Sequence, residues 1–285
     1  TFAIRFRYLL MIFLSIAHLW LLSQCRVSIF KMSFLDSFQY IPSILFKFIS
    51  YFLTMFIFTN LWSYIYNDPN KLINGYTLNQ MIWYLLIAET ISYGCSSLCQ
   101  KEIENDIKNG DISYKVNKPY NYVGYVFSRY LGDSIIRFIL YFVVSFLIGN
   151  LFVGKINVSL NIFSILEILL TIILGISING LIKILISLSA FWTEDSSPFH
   201  WIYSKVMLIF GIFFPIEMFP KFLRPIIKCT PVFVILYGPA KLILSFSNKL
   251  FLNVLVAQII YLIIVLLLIT IIYRKGVKKI NVNGG

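Results

Sequence analysis

In a chain this apolar, chemistry has to come from a few ionisable side chains, and their spacing sorts them into groups. Glu89 is the only charged residue in the stretch Leu72 to Gln100. An acid that deep in an apolar run is a functional signal by default, as a proton carrier or pathway residue. The competing reading is a carboxyl kept protonated, or hydrogen-bonded to Ser or Thr, as glue between helices. Glu102, Glu104 and Asp106 crowd the first turns of Gln100 to Tyr120. Ile103 and Ile107 share a face there at i, i+4 spacing, and Gly110 stops the helix just before Asp111. This pattern suits a short helix standing off a membrane to receive a soluble partner; a solvated connecting turn would look the same. Glu194 and Asp195 form an adjacent acid pair between Trp192 and Pro198. They are placed to cap the next helix at its positive end, or to meet a basic partner.

Other charges read as structural. Arg129, Asp133 and Arg137 recur at i, i+4, i+8 and can pair among themselves on one helix face. Glu167 and Lys183 lie about 24 Å apart along a helix, so each can snorkel to its own interface. Glu217 falls in a segment punctuated by Pro215, Pro220 and Pro239, either along a pathway or facing solvent.

Several chemistries lack their residues. No G-x-x-x-x-G-K-[ST] occurs, so this chain cannot cradle nucleotide phosphates in a P-loop. With only His18 and His200, the H-E-x-x-H zinc pattern is missing, and Cys95 and Cys99 find no third ligand nearby. A G-x-S-x-G nucleophile elbow is absent as well. The reading is of a non-enzyme with no catalytic, metal or cofactor-binding residues, and with no folded platform for nucleic acid.

The elements that carry these residues follow from composition. Of 285 residues, 59% are hydrophobic and 13% charged, and the mean hydropathy is +0.83. Soluble domains carry about twice that share of charge, and disordered chains are far less apolar. Four Cys are too few for a disulfide scaffold. What remains is an all-α polytopic membrane protein, because open sheets cannot satisfy their backbone in lipid. Apolar stretches predict six spans, over Phe48 to Asn67, Leu72 to Gln100, Phe138 to Gly154, Asn161 to Ala190, Val206 to Glu217 and Leu250 to Tyr273. The third extends N-terminally if Arg137 snorkels. With six spans, 13 Lys and Arg fall on one side and 7 on the other. The positive-inside rule then puts both ends, and the Gln100 to Tyr120 loop, in the cytoplasm. The net charge of +12 marks loops facing anionic lipid headgroups.

Three regions remain. Residues 1–31 hold an apolar run that reads as an added span, an interfacial helix or sequence foreign to the native chain. A signal-peptide core fits less well, because Gln24 is too large for a lipoprotein cleavage box. Residues 32–47 carry Phe34, Leu35, Phe38, Ile41 and Leu45 on one side and Ser33, Asp36, Ser37 and Gln39 on the other. That is an amphipathic helix in the interface, or the inner end of the next span, with Pro42 at the bend. A six-span transmembrane domain then covers 48–275 and a cytoplasmic tail 276–285. Between Phe213 and Lys249 five prolines interrupt a strongly apolar sequence. It is too broken to span and too apolar to hang free, so it predicts short broken helices dipping into the outer leaflet against protein.

Motifs in this order carry a resemblance. They are Leu61-Trp62-Ser63-Tyr64-Ile65-Tyr66, Gly75-Tyr76-Thr77, Asp106-Ile107-Lys108-Asn109-Gly110-Asp111-Ile112 with Lys118-Pro119, and Phe191-Trp192-Thr193-Glu194-Asp195. Pro215-Ile216-Glu217-Met218-Phe219-Pro220 and Tyr237-Gly238-Pro239-Ala240 complete the set. From about Met32 onward the chain resembles ABC-2-type permeases of ATP-binding-cassette transporters, in a bacterial branch with a separate ATPase subunit. The resemblance implies a six-helix domain like that of type V exporters, with an interfacial N-terminal helix and re-entrant outer helices. It implies that Glu102 to Asp111 dock on the ABC ATPase, which holds the ATP and Mg. The 215–239 segment would form the outer gate, with a second permease chain, identical or similar, enclosing the pathway for export across the bacterial inner membrane. The rival expectations are a proton-coupled secondary transporter working through Glu89, and a non-transporting immunity or anchor protein.

Overall fold

The computed structural model describes residues 24–68, 71–118, 120–154 and 161–283. Most of the 1–31 segment, Pro119 and Lys155 lie outside them. Among the described residues the chain is helical, relieved by one isolated antiparallel bridge between Ile73 and Tyr76. The elements are α1 (Gln24–Asp36), α2 (Ile41–Tyr66), α3 (Leu78–Gly94), α4 (Leu98–Lys108), α5 (Asp111–Val116) and α6 (Tyr122–Ile148). They continue with α7 (Ile162–Ser187), α8 (Ala190–Thr193), α9 (Ser197–Met207), α10 (Leu223–Lys228), α11 (Gly238–Leu244) and α12 (Asn248–Asn283). Single π turns extend α6 over Gly149–Val153 and α9 over Leu208–Phe213, and another, Phe233–Tyr237, leads into α11.

Four helices are long and apolar enough to cross a membrane: Phe46–Tyr66, Tyr122–Val153, Ile162–Thr193 and Asn248–Lys279. The third is the centre of the molecule. Its most apolar window is 67% buried, against 17–22% for the other three, which leave one side to lipid. Two further apolar stretches form shorter helices. Leu72 to Gln100 narrows to α3, which starts at a Thr77–Gln80 capping box and stops where Ser96 turns to bond Asp133. Val206 to Glu217 holds only the last two residues of α9 and its π turn, ended at Phe213 before Pro215.

Span α6 begins well before Phe138, at Tyr122, although Arg137 does not snorkel. Its Nε instead bonds the fully buried Asp133 at 2.6 Å, and Asn121 caps the helix sixteen residues earlier by accepting from the Gly124 N–H at 2.8 Å. Residues 32–47 are helical in two pieces, with a 3-10 turn at Ser37–Tyr40 and Pro42 in the first turn of α2. The serine face of α1 packs on α6, where Ser33 Oγ donates to the Arg129 carbonyl at 2.9 Å. Met32, Leu35 and Phe38 face outward, more than half exposed. Gly132 lets α1 this close, since a Cβ there would sit 2.7 Å from the Phe30 carbonyl oxygen.

Candidate functional site: a clamped hairpin and a carboxylate cluster

One hairpin is made by α4 and α5, reversed at Gly110, whose φ of +77° glycine adopts without strain. Ile103 and Ile112 are buried and anchor it. The acids do not face solvent as a docking row. Asp106 is buried, accepting from Lys115 Nζ at 2.7 and 2.8 Å and from the Tyr122 hydroxyl at 2.7 Å. Glu102 accepts from Arg129 Nη1 at 2.8 Å. Burial pushes the Glu102 carboxyl above its ordinary range, and Arg129 and Lys115 pull it partly back. Glu104 pairs with Lys108 at 2.8 Å. The hairpin is thereby clamped to the first turns of α6, and Lys101, Asn105, Lys108, Asn109, Asp111 and Tyr114 form the face it presents outward. Of the residues assigned to this site, Gly110 and Asp111 are exposed, Glu102, Glu104 and Ile107 half-buried, and Ile103 and Asp106 buried.

The 194–195 loop lies against the same hairpin. Ser196 Oγ and Ser197 Oγ each donate to Glu104 Oε2 at 3.3 Å. Asp195, just ahead of α9, accepts through Oδ1 from the Ser197 N–H at 2.8 Å, and that bond holds the carboxyl below its ordinary range. Glu194 is exposed in a left-handed turn at φ +62°. Two segments far apart in sequence thus make one surface. Behind it, Asp133 joins three elements: it accepts from Ser37 at 2.8 Å, from Ser96, and from Arg137. Arg129 leaves the expected internal ladder for Glu102 because α4 brings that carboxylate within reach.

At the other end, Glu217 is the hub. Its Oε2 accepts from the Tyr76 hydroxyl at 3.0 Å and its Oε1 from the Tyr237 hydroxyl at 2.6 Å. Lys241 Nζ lies 3.3 Å from Oε1, donates to the Tyr76 hydroxyl at 2.7 Å, and sits 3.9 Å from that ring's centroid. Burial pushes the Glu217 carboxyl up, but the Tyr237 bond and the Lys241 charge more than offset it, leaving it below the ordinary 4.5. Pro215 and Pro239 are buried and Pro220 is exposed. Gln258 of α12 ties the broken segment to the central helix, with its Nε2 donating to the Thr171 and Val234 carbonyls at 2.8 Å.

Glu89 belongs to neither cluster. It is buried on α3 with its Oε2 unpartnered, about 20 Å along the chain axis from Tyr76. Thr90 beside it bonds Ser145, which also meets Tyr51. Tyr76, Tyr237 and Lys241 escaped sequence reasoning, since aromatics and a lysine near an interface look like anchors. Only the aromatic next to a Gly in Gly75-Tyr76 and Tyr237-Gly238 marked the two tyrosines.

A helical membrane protein with a clamped hairpin at one end and a broken, carboxylate-tied helical segment at the other is the class that these features define. The family model described as ABC-2 family transporter protein matches residues 52–284, and the chain belongs to that family of membrane permeases. Members are the membrane component of a transporter, distinct from its ATPase. No curated protein sequence matches the chain closely enough to count as a relative.

Proposed function

We propose that the chain is the membrane-spanning half of an ATP-driven exporter of the bacterial cytoplasmic membrane. Six spans make up the unit: the four long helices, α3, and α9 with its π turn. Both ends of the unit and the hairpin face the cytoplasm. A separate ATPase docks on the hairpin and the 194–195 loop, and a second permease chain completes the pathway. ATP and Mg stay on the ATPase. The observation that carries this reading is the clamp of the hairpin to α6 through Glu102–Arg129 and Asp106–Tyr122. A hairpin tied to a span by charged hydrogen bonds transmits a push as a rigid lever, biasing two packings of the helical bundle.

At the outer end, the Glu217 cluster links the 73–76 turn, the π turn and α11, so its opening would separate these elements as a gate. The test is reactivity of Asn74→Cys in the complex isolated from its membrane and placed in liposomes. Mg-ATP should change the labelling rate several-fold, and an equal rate with and without nucleotide would reject ATP coupling. One observation favours a second reading, proton coupling, namely the unpartnered oxygen of Glu89. Transport that ran on a proton gradient without ATP, and failed in Glu89→Gln, would select it. Activity with no transport at all would point to an anchor or immunity role.

A further inference from the structure

We propose that the cavity between α3, α7 and α9 binds the headgroup of an anionic amphiphile drawn from the adjoining leaflet. The cavity has a volume of about 410 Å³, inside the roughly 300–1,000 Å³ range of small-ligand sites. That is room for a headgroup and the start of a chain, and too little for a polymer. Lys183 of the central helix reaches into it. Its Nζ donates to the Ser96 carbonyl at 2.8 Å and forms no ion pair among the described residues. A cation within a span and lacking a counter-ion is costly unless it faces a polar cavity and a partner.

No carboxylate lines the cavity. Two carboxylates touch its wall from outside, both through Ser197: Asp195 accepts from the Ser197 N–H at 2.8 Å, and Glu104 accepts from its hydroxyl at 3.3 Å and is neutralised by Lys108 at 2.8 Å. Ser92, Ser97, Gln100 and Asn179 are among the neutral hydrogen-bonding groups of the wall, and His200, which also lines it, pairs through Nε2 with the Ser187 hydroxyl at 2.9 Å. Asn179 accepts from the Tyr203 hydroxyl through Oδ1 at 2.7 Å, which leaves its amide N–H groups for a ligand oxygen. One cation with several neutral donors suits a phosphate or carboxylate. The source is lipid-like because the mouth is apolar: Trp201 lines the cavity and is 63% exposed, next to Ile202 at 56%. Met207 and Leu236 continue the apolar wall inside.

This inference stands on the cavity and goes beyond the exporter reading, so it is tested on the purified full chain without any ATPase. Dihexanoyl-phosphatidylglycerol, dihexanoyl-phosphatidylcholine and inorganic phosphate are titrated in neutral detergent, with native mass spectrometry reading occupancy. Phosphatidylglycerol should bind saturably and at least ten-fold more tightly than the other two. Lys183→Gln should weaken it at least ten-fold, and Lys183→Arg should keep it within about three-fold. Ser92→Phe, which fills the cavity and leaves the cation in place, should also abolish binding, which covers the case in which Lys183→Gln does not fold. Equal binding of phosphatidylcholine, or full binding by Ser92→Phe, would overturn the site. Equal binding of inorganic phosphate would overturn the amphiphile and leave a soluble anion.

Discussion

Glu217 holds three groups from three elements with one carboxylate, and its ionisation is therefore worth stability. Its carboxyl lies below the ordinary 4.5 in the folded chain. The ionised form favours the folded cluster, so the contribution is fully present at neutral pH and is lost as pH falls below about 4.5 and through the lowered value. Hydrogen exchange over 215–241 should rise on acidification in the wild type. Glu217→Gln should exchange faster already at neutral pH, by about 1–3 kcal/mol of lost protection, and should lose most of the acid dependence. An unchanged acid response in that variant would place the titration elsewhere.

The hairpin carries two kinds of residue, inward-facing and outward-facing. Asp106 faces inward, and Asp106→Ala leaves Lys115 and Tyr122 without their acceptor. The cost should be about 3 kcal/mol, at the low end for a buried pair because Lys115 is partly exposed. Limited proteolysis should then cut at 105–118 while membrane insertion is unchanged. Asp111 and Tyr114 face outward, so Asp111→Lys with Tyr114→Ala should leave the hairpin as protease-resistant as wild type. Equal protease sensitivity in the two variants would refute the inward–outward assignment.

This division also marks what could be read beforehand. The 3.6-residue period gave the helix, Gly110 the turn and Ile103 and Ile107 the buried side. Three acids in the first turns looked solvated, however, because their partners, Arg129, Lys115 and Tyr122, come from segments that only the fold brings near. Asp133 shows the same limit. Its i+4 pairing with Arg137 was legible, and its bonds to Ser37 and Ser96 depend on α1 and the α3–α4 turn packing against α6. The prolines of the 213–249 connection were informative alone, since each missing N–H forbids a continuous helix, whereas Glu217's partners 141 residues back and 20 ahead were not.

For the whole molecule, the account requires two faces of opposite exposure. Asn109, beside the hairpin turn, and Asn248, at the start of α12, should lie on opposite sides of the membrane. Single cysteines at these positions, in a chain with Cys25 and the exposed Cys229 changed to Ser, should react with an impermeant maleimide from opposite sides. Labelling of both from the same side would remove the six-span arrangement while leaving the four long helices intact.

The most direct test of the central claim is recovery of the ATPase. The chain is isolated from its own membrane in mild detergent, and P-loop subunits that come with it are quantified by mass spectrometry alongside Mg-dependent ATP hydrolysis. The account predicts a stoichiometric nucleotide-binding subunit with the wild type. With Asp111→Lys and Tyr114→Ala together, that subunit should drop at least ten-fold at unchanged yield of the chain. Undiminished recovery from the doubly substituted hairpin, or full transport activity with no such subunit present, would contradict it.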